Sequence, residues 1–258
     1  MGESFLFCSG KGGVGKTSSA INLSFALAEL GRRVALVDVN VPNPNIAFHL
    51  KIPDYVETLN ELMQGKKQQH KIPGYYNWRL RIVPAAFSVR AMESFDLRSF
   101  SAALKGICSE TDVMMLDSAP GLGAEVVASL EVSDKVVIVT NPEIPALADA
   151  AKTIHIANDR GIEVSGVIVN RVGRFRHELK RSEILNVIDN VPILGEIPED
   201  PFVSSAVRSG QPVVLKYPAS KAAREYKRIA SKLIGEKFVD RTGVVDRLQL
   251  FLEKFKPV

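Results

Sequence analysis

Cysteine is scarce in this sequence, and so are tryptophan and histidine: two, one and four residues among 258. Cys8 and Cys108 lie 100 positions apart, which offers no CxxC pair and no Cys/His spacing suited to zinc or an iron–sulfur cluster. Iron–sulfur assembly and electron transfer are thereby disfavoured. Both thiols are expected to be small core residues in a reducing, cytoplasmic setting. His49, His70, His155 and His177 show no metal spacing and suggest no special role. Long apolar runs are missing too: none reaches the roughly 18 residues of a membrane span, and the chain enters a strand at once without a basic leader, so secretion is not expected. Charge of one sign is not in large excess either. The 33 Lys and Arg against 29 Asp and Glu leave +4, too little by itself to mark a nucleic-acid or membrane binder.

What the chain does have is a regular alternation. Short apolar, β-branched runs at 5–8, 34–38, 81–83, 113–117, 135–140, 166–170 and 193–197 are separated by longer helical patterns. This predicts an α/β fold: a single doubly wound, mostly parallel β-sheet flanked by helices. The segment 16–30, "KTSSAINLSFALAEL", reads as a helix ending before Gly31, and its nearly all-apolar middle predicts burial. The expected organisation is one domain over 1–237, a short polar linker over 238–243, and a terminal helix over 244–258. In such sheets, binding loops sit at the carboxyl ends of strands, which directs attention to "SGKGGVGKT", "DVNVPNPN", "DSAPGLG" and "TNPEIPALAD".

The first of these matches GxxxxGK[ST] through Gly10, Gly15, Lys16 and Thr17, directly after a strand and opening a helix. A chance match in a chain this long is on the order of 1%. Backbone N–H groups of such a loop face phosphate oxygens, and the helix start adds positive potential. The run Gly10, Lys11, Gly12, Gly13, Val14, Gly15, Lys16, Thr17 and Ser18 is therefore the expected ATP-binding segment. Lys16 is expected to reach the β- and γ-phosphates, and the Thr17 hydroxyl to bind Mg²⁺.

A second lysine, Lys11, has no task within that scheme. "KGGVGKT" resembles the deviant phosphate loop (deviant Walker A type) of the MinD/ParA superfamily of P-loop NTPases, and the likeness runs from residue 4 to about 235. The resemblance implies an ATPase whose extra lysine, here Lys11, crosses a homodimer interface to the partner's nucleotide. It implies that Asp117 in "DSAPGLG" and Asp38 lie near Mg²⁺ through water, and that Gly121 and Gly123 let the loop follow the γ-phosphate. "TNPEIPALAD", "VNRV" and "IPED" resemble the MinD branch most. From that likeness Asn170 and Arg171, with Pro198, Glu199 and Asp200, are expected to frame the adenine.

One position departs from the family. MinD-like proteins read D-x-D after the second strand, whereas here Asp38 is followed by Asn40. An amide oxygen accepts a hydrogen bond from the attacking water but cannot take its proton, so hydrolysis is expected to be slow rather than absent.

The tail "GVVDRLQLFLEKFKPV" places Val244, Val245, Leu248, Phe251, Leu252 and Phe255 on one helical face, with Leu250 on the other side and Arg247, Lys254 and Lys256 at its edges. It resembles MinD's membrane-targeting sequence. Its bland alternative is packing on the protein's own surface. "YYNWRLR" (75–81) predicts a loop entering an edge strand, and "RVGRFRHELKR" (171–181) is the densest basic run. The expected function is a cytoplasmic, peripherally membrane-associated ATPase switch that dimerises with ATP and positions or recruits a regulatory or cargo protein. The alternatives are a ParA-like partitioning ATPase binding DNA nonspecifically and a hydrolysis-deficient nucleotide-binding adaptor.

Overall fold

The computed structural model of the chain describes residues 2–253 apart from 42, 54–56, 66–73, 78, 87–95, 122 and 241. Its strands are β1 (Glu3–Cys8), β2 (Val34–Asp38), β3 (Gly74–Asn77), β4 (Leu80–Val83), β5 (Val113–Asp117), β6 (Lys135–Thr140), β7 (Glu163–Val172) and β8 (Ile193–Pro198). They form one eight-stranded sheet in the order β3-β4-β2-β5-β1-β6-β7-β8. Every pairing is parallel except β3 with β4. The antiparallel β3 is the one strand the apolar pattern does not announce. "GYYN" is short, starts on glycine and ends on asparagine, so it carries no alternation, and it hairpins back onto β4 as the sheet edge. Trp78, in the same stretch, lies outside the described residues.

The helices are α1 (Lys16–Glu29), α2 (Ile46–Leu50), α3 (Leu59–Met63), α4 (Leu97–Ser109), α5 (Ala124–Glu131), α6 (Ile144–Asp159), α7 (Arg181–Val187), α8 (Pro201–Arg208), α9 (Val213–Lys216), α10 (Lys221–Leu233) and α11 (Val244–Glu253). Alternation along each strand sorts the core into two layers. Phe5, Phe7, Leu36 and Met115 pack with Leu23 and Leu27 of α1, Ala206 of α8 and Ile229 of α10. Leu6, Cys8, Val37 and Leu116 point to the other face, against Leu104 of α4, Leu147 of α6 and Ile184 of α7.

Helix α1 is buried continuously from Ser19 to Ala28, as its composition predicts, and its polar residues are satisfied internally. Ser24 donates to the Ala20 carbonyl at 2.7 Å and Asn22 to the Ser18 carbonyl at 2.8 Å, while Asn22 Oδ1 accepts the Val214 N–H at 3.2 Å. A helix anchored this way cannot drift, which matters because its first turn is the phosphate loop's exit.

Beyond α10, the polar stretch is held to the domain. Arg32 pairs with Glu236 at 2.6 Å, Arg224 with Asp240 at 2.9 Å, and the Arg228 guanidinium lies over Phe238, 5.2 Å from its ring centre. Helix α11 then leaves its apolar side chains in solvent: Val244 is 83% exposed, Val245 77%, and Leu248, Phe251 and Leu252 57% each. Phe255, Lys254 and Lys256 lie outside the described residues, as does the side chain of Leu250. Among the described residues, no helix is long and apolar enough to cross a membrane.

Candidate functional site

The carboxyl ends of β1, β2 and β5 converge where the sheet order turns back on itself. A cavity of about 420 Å³ opens there, lined by the loop glycines, Lys16, Thr17 and Ser18 on one side, and by Asn40, Asn43, Asn45 and His49 on another. Pro120 and Arg171 complete the wall. This is the crevice in which open α/β sheets bind ligands.

Two glycines make the loop possible. Gly15 sits at φ +95°, and a Cβ there would lie 2.0 Å from Asn170 Nδ2; at Gly10 a Cβ would lie 2.3 Å from Asp149 Cβ of α6. A side chain at Gly10 would press on the backbone of α6, and one at Gly15 would both strain the left-handed backbone and displace the Asn170 amide. The neighbour responsible at Gly15 also shapes the loop: Asn170 Nδ2 donates to the Val14 carbonyl at 2.8 Å, and Asn141 Nδ2 donates to the Asn170 carbonyl at 2.9 Å. Asn170 is thus engaged in holding the phosphate loop on β7, while Arg171 beside it lines the cavity at φ 61°, a left-handed conformation that side chains adopt at a cost and that concentrates at functional sites. Asp200 is engaged too. Its carboxylate accepts the N–H of Phe202 at 3.0 Å and of Ala222 at 3.1 Å, capping the starts of α8 and α10. Pro198 lies beside Val172 in the β7–β8 ladder, and Glu199 N–H bonds the Val172 carbonyl at 2.8 Å.

The charged centre is compact and largely buried. Lys16 Nζ donates to Asp117 Oδ1 at 2.7 Å and to the carbonyl of Ser118, and the Thr17 hydroxyl donates to Asp117 Oδ2 at 2.6 Å. Asp117 is fully buried at the end of β5 and pairs in register with Asp38 at the end of β2. Asp38 Oδ1 accepts the Asn40 N–H at 3.0 Å; its Oδ2 accepts those of Asn45 at 2.8 Å and Ile46 at 3.0 Å. The carboxylate therefore fastens the loop and the start of α2 to the strand end. Asn40 is buried, lines the cavity, and accepts the Asn43 N–H through its side-chain oxygen at 3.3 Å.

Burial pushes Asp38 up to about 7, the Asp117 charge next door adds to that, and the three N–H donors pull the other way. Linkage gives the sign. The unfolded carboxyl titrates near 3.8, so its contribution to stability is fully present below that pH and is lost as pH rises to about 7. Asp38→Asn removes the titration. Its melting temperature, measured without nucleotide, is expected to gain on that of the unaltered chain from pH 4 to about 7, then to hold a constant offset. A difference that stays flat over that range would show Asp38 to be ionised throughout.

Two further groups bear on the site. Cys8 is buried beside it with its thiol pushed up to about 12 by desolvation, which keeps it an inert core residue. His49, to which the sequence assigns no role, lines the cavity; its Nδ1 is buried without a hydrogen-bond partner, and burial holds its pKa below the ordinary value, with Asp117 partly offsetting. Lys11, in contrast, is exposed and does not line the cavity, and its side chain makes no ion pair or hydrogen bond among the described residues.

The donor set suits a nucleoside triphosphate with Mg²⁺. A buried lysine, a hydroxyl and two carboxylates give a hard, oxygen-rich corner. Among the described residues no cluster of His, Cys, Asp or Glu could cage a metal unaided. Mg²⁺ characteristically keeps water and takes substrate phosphates as ligands, so a partial protein set of this kind fits it.

Comparison with known proteins agrees. The ParA family model, described as a NUBPL iron-transfer P-loop NTPase, matches residues 2–234. An uncharacterized ATP-binding protein of Methanocaldococcus jannaschii is 32% identical over 255 residues, 99% of this chain and 96% of its own. The septum site-determining protein MinD of Bacillus subtilis is 29% identical, covering 92% of this chain and 90% of its own. Among solved structures, MinD of Pyrococcus horikoshii complexed with Mg-ADP superposes with a TM-score of 0.83 at 31% identity, over 90% of this chain and 96% of that one. Matched along nearly its whole length and built around the phosphate loop described above, this chain belongs to the ParA family of P-loop NTPases and lies near MinD within it.

Proposed function

We propose that this protein is an ATP-dependent dimerising switch of MinD type, a slow ATPase that associates with a membrane surface in its ATP state and there positions or recruits a partner protein. The observation that carries this reading is the contrast between its two loop lysines. Lys16 is buried and held by Asp117, whereas Lys11 stands exposed beside the same cavity without lining it. A cation so placed adds charge stabilisation to phosphates only when it belongs to a second copy facing the site.

Lys16 and Thr17 both donate to Asp117 in this structure. Lys16 would turn from Asp117 to the phosphates of a bound triphosphate, and the Thr17 hydroxyl would hold Mg²⁺ in place of its present donation to Asp117. Binding therefore frees the Asp117 end of β5, and with it the Ser118 carbonyl, to rearrange with the loop that follows. When bound, Mg²⁺ neutralises charge on the phosphate oxygens; Thr17 would hold it directly, with Asp38 and Asp117 reaching it through water. Asn40 orients the attacking water without accepting its proton, which supports slow turnover. Arg171 at the far wall is suited to the base or sugar end of the nucleotide, with Asn170 keeping the loop in register.

A second reading is favoured by one patch. Arg174, Arg176, His177 and Lys180 are all exposed in the loop after β7, and Glu178 pins that loop by accepting the N–H groups of Gly173 at 2.6 Å and Phe175 at 2.8 Å. An ordered basic loop suits nonspecific DNA binding of the ParA kind. Light scattering with a non-hydrolysable ATP analogue, set against ADP, tests the primary reading. A dimer is expected with the analogue alone, together with a turnover that rises in Asn40→Asp. A monomer under both conditions, or a rate that Asn40→Asp leaves unchanged, counts against it.

A further inference from the structure

We infer that His49 reads the terminal phosphate of the bound nucleotide, donating a hydrogen bond from Nε2–H to a γ-phosphoryl oxygen and so distinguishing triphosphate from diphosphate. This rests on the nucleotide-switch reading and extends it to a residue that the sequence motifs leave unassigned.

Three observations lead there. The first is position. His49 sits on α2 and lines the cavity together with Lys16, Thr17 and Asn40. The start of that helix is fixed by Asp38, which accepts the N–H groups of Asn45 and Ile46 at 2.8 and 3.0 Å. Asp38 in turn lies in register with Asp117, the acceptor for Lys16 and Thr17. In the sheet order, β2 lies to one side of β1 and β7 to the other, so His49 and Arg171 face the cavity from opposite sides. With Arg171 toward the base end, His49 stands at the end where the phosphate chain terminates.

The second observation is the state of the ring. Nδ1 is buried and has no partner, whereas Nε2 is not among the buried unpartnered atoms and forms no hydrogen bond among the described residues. Nε2 is therefore the nitrogen with access to the cavity. A neutral imidazole carries one proton. Placed on Nδ1 it would be a donor buried without an acceptor, and a bare lone pair would then face phosphate oxygens. Placed on Nε2 it turns a donor toward those oxygens. A triphosphate selects the second tautomer.

The third is what surrounds it. The other groups lining this side of the cavity, Asn40, Asn43 and Asn45, are neutral, and Asn40 is the position at which the family carries a carboxylate. With that carboxylate missing, a donor can approach the γ-phosphate from this side without first being captured by an acid. Burial holds the His49 pKa below its ordinary value, against the Asp117 charge, which favours a directed hydrogen bond over a second positive charge beside Lys16.

The test is calorimetric titration of the full chain, in Mg²⁺, with a non-hydrolysable ATP analogue and with ADP. His49→Ala is expected to weaken the analogue about tenfold or more, the loss typical of a hydrogen bond to a charged group, while ADP changes by less than about twofold. His49→Gln, whose amide nitrogen reaches the Nε2 position, is expected to retain most of the preference. His49→Asn reaches only the Nδ1 position and should behave like alanine. Equal losses for both nucleotides, no loss for either, or Asn retaining what Gln does not, each overturns the assignment. If the unaltered chain binds neither nucleotide, the nucleotide-switch reading itself falls and this inference with it; if it binds both and the four proteins rank otherwise, only the inference falls.

Discussion

Lys11→Ala is expected to remain monomeric with an ATP analogue and to hydrolyse ATP about 10²- to 10³-fold more slowly than the unaltered chain, the loss typical of removing one donor that acts on transition-state charge. Its own binding of ADP should change by no more than about twofold, because Lys11 does not line the cavity of its own chain. The separation of these effects is the informative part. A lysine that served its own nucleotide would weaken binding when removed, as Lys16→Ala must, since Lys16 is the buried cation at the phosphate site. A lysine that merely solvates the surface would change nothing. Only a cation lent to a neighbour leaves monomer binding intact while removing both dimerisation and turnover. Light scattering, calorimetry and steady-state hydrolysis on the same preparation separate the three outcomes. A Lys11→Ala chain that dimerises and turns over normally reduces Lys11 to an exposed surface residue.

The parts of this picture that could be read from sequence are those encoded locally. The phosphate loop is a contiguous motif, and its glycines are required where the structure has them, at Gly10 against Asp149 and at Gly15 against Asn170. Asp38 and Asp117 are legible because each ends an apolar strand, and parallel pairing then brings the two strand ends together. Helix α1 is legible because its apolar run leaves no solvent face. What could not be read depends on contacts between segments far apart in the chain. His49 acquires its place only because Asp38 fastens the turn before α2, and nothing in "IAFHL" announces that. The bond from Asn170 to the Val14 carbonyl spans 156 positions, so a motif that suggests a place near adenine gives no hint of a clamp on the phosphate loop. Strand β3 was illegible for the opposite reason: as a sheet edge with one partner it needs little apolar pattern to pair.

Deleting residues 244–258 is expected to abolish sedimentation with anionic vesicles, and Leu248→Glu to come close to doing so. The unaltered chain should sediment at least about tenfold better with an ATP analogue than with ADP. The physical reason lies in area and copy number. Val244, Val245, Leu248 and Leu252 of α11 are more than half exposed, the first two more than three-quarters, so burying them against a surface removes little packing from the domain. Each large apolar residue moved out of water contributes about 2 kcal/mol, from which ordering the helix on the surface must be subtracted. One tail is therefore marginal, whereas two tails on one dimer act together through effective concentration. Removing Leu248 from both copies costs about 4 kcal/mol, roughly 10³ in partitioning. Charge contributes less: Asp246 and Glu253 offset much of Arg247 and the terminal lysines, so moderate salt should weaken binding only slightly. Anchoring of Asp240 to Arg224 at 2.9 Å fixes where the tail leaves the domain, and Arg224→Ala is therefore a useful control that loosens the exit without touching the apolar face. Binding that is equal with ATP and ADP would leave the anchor but remove its link to the nucleotide. An unaltered chain that does not sediment with vesicles, with DNA retention by the basic loop that survives the deletion, would instead move the protein to the partitioning side of its family.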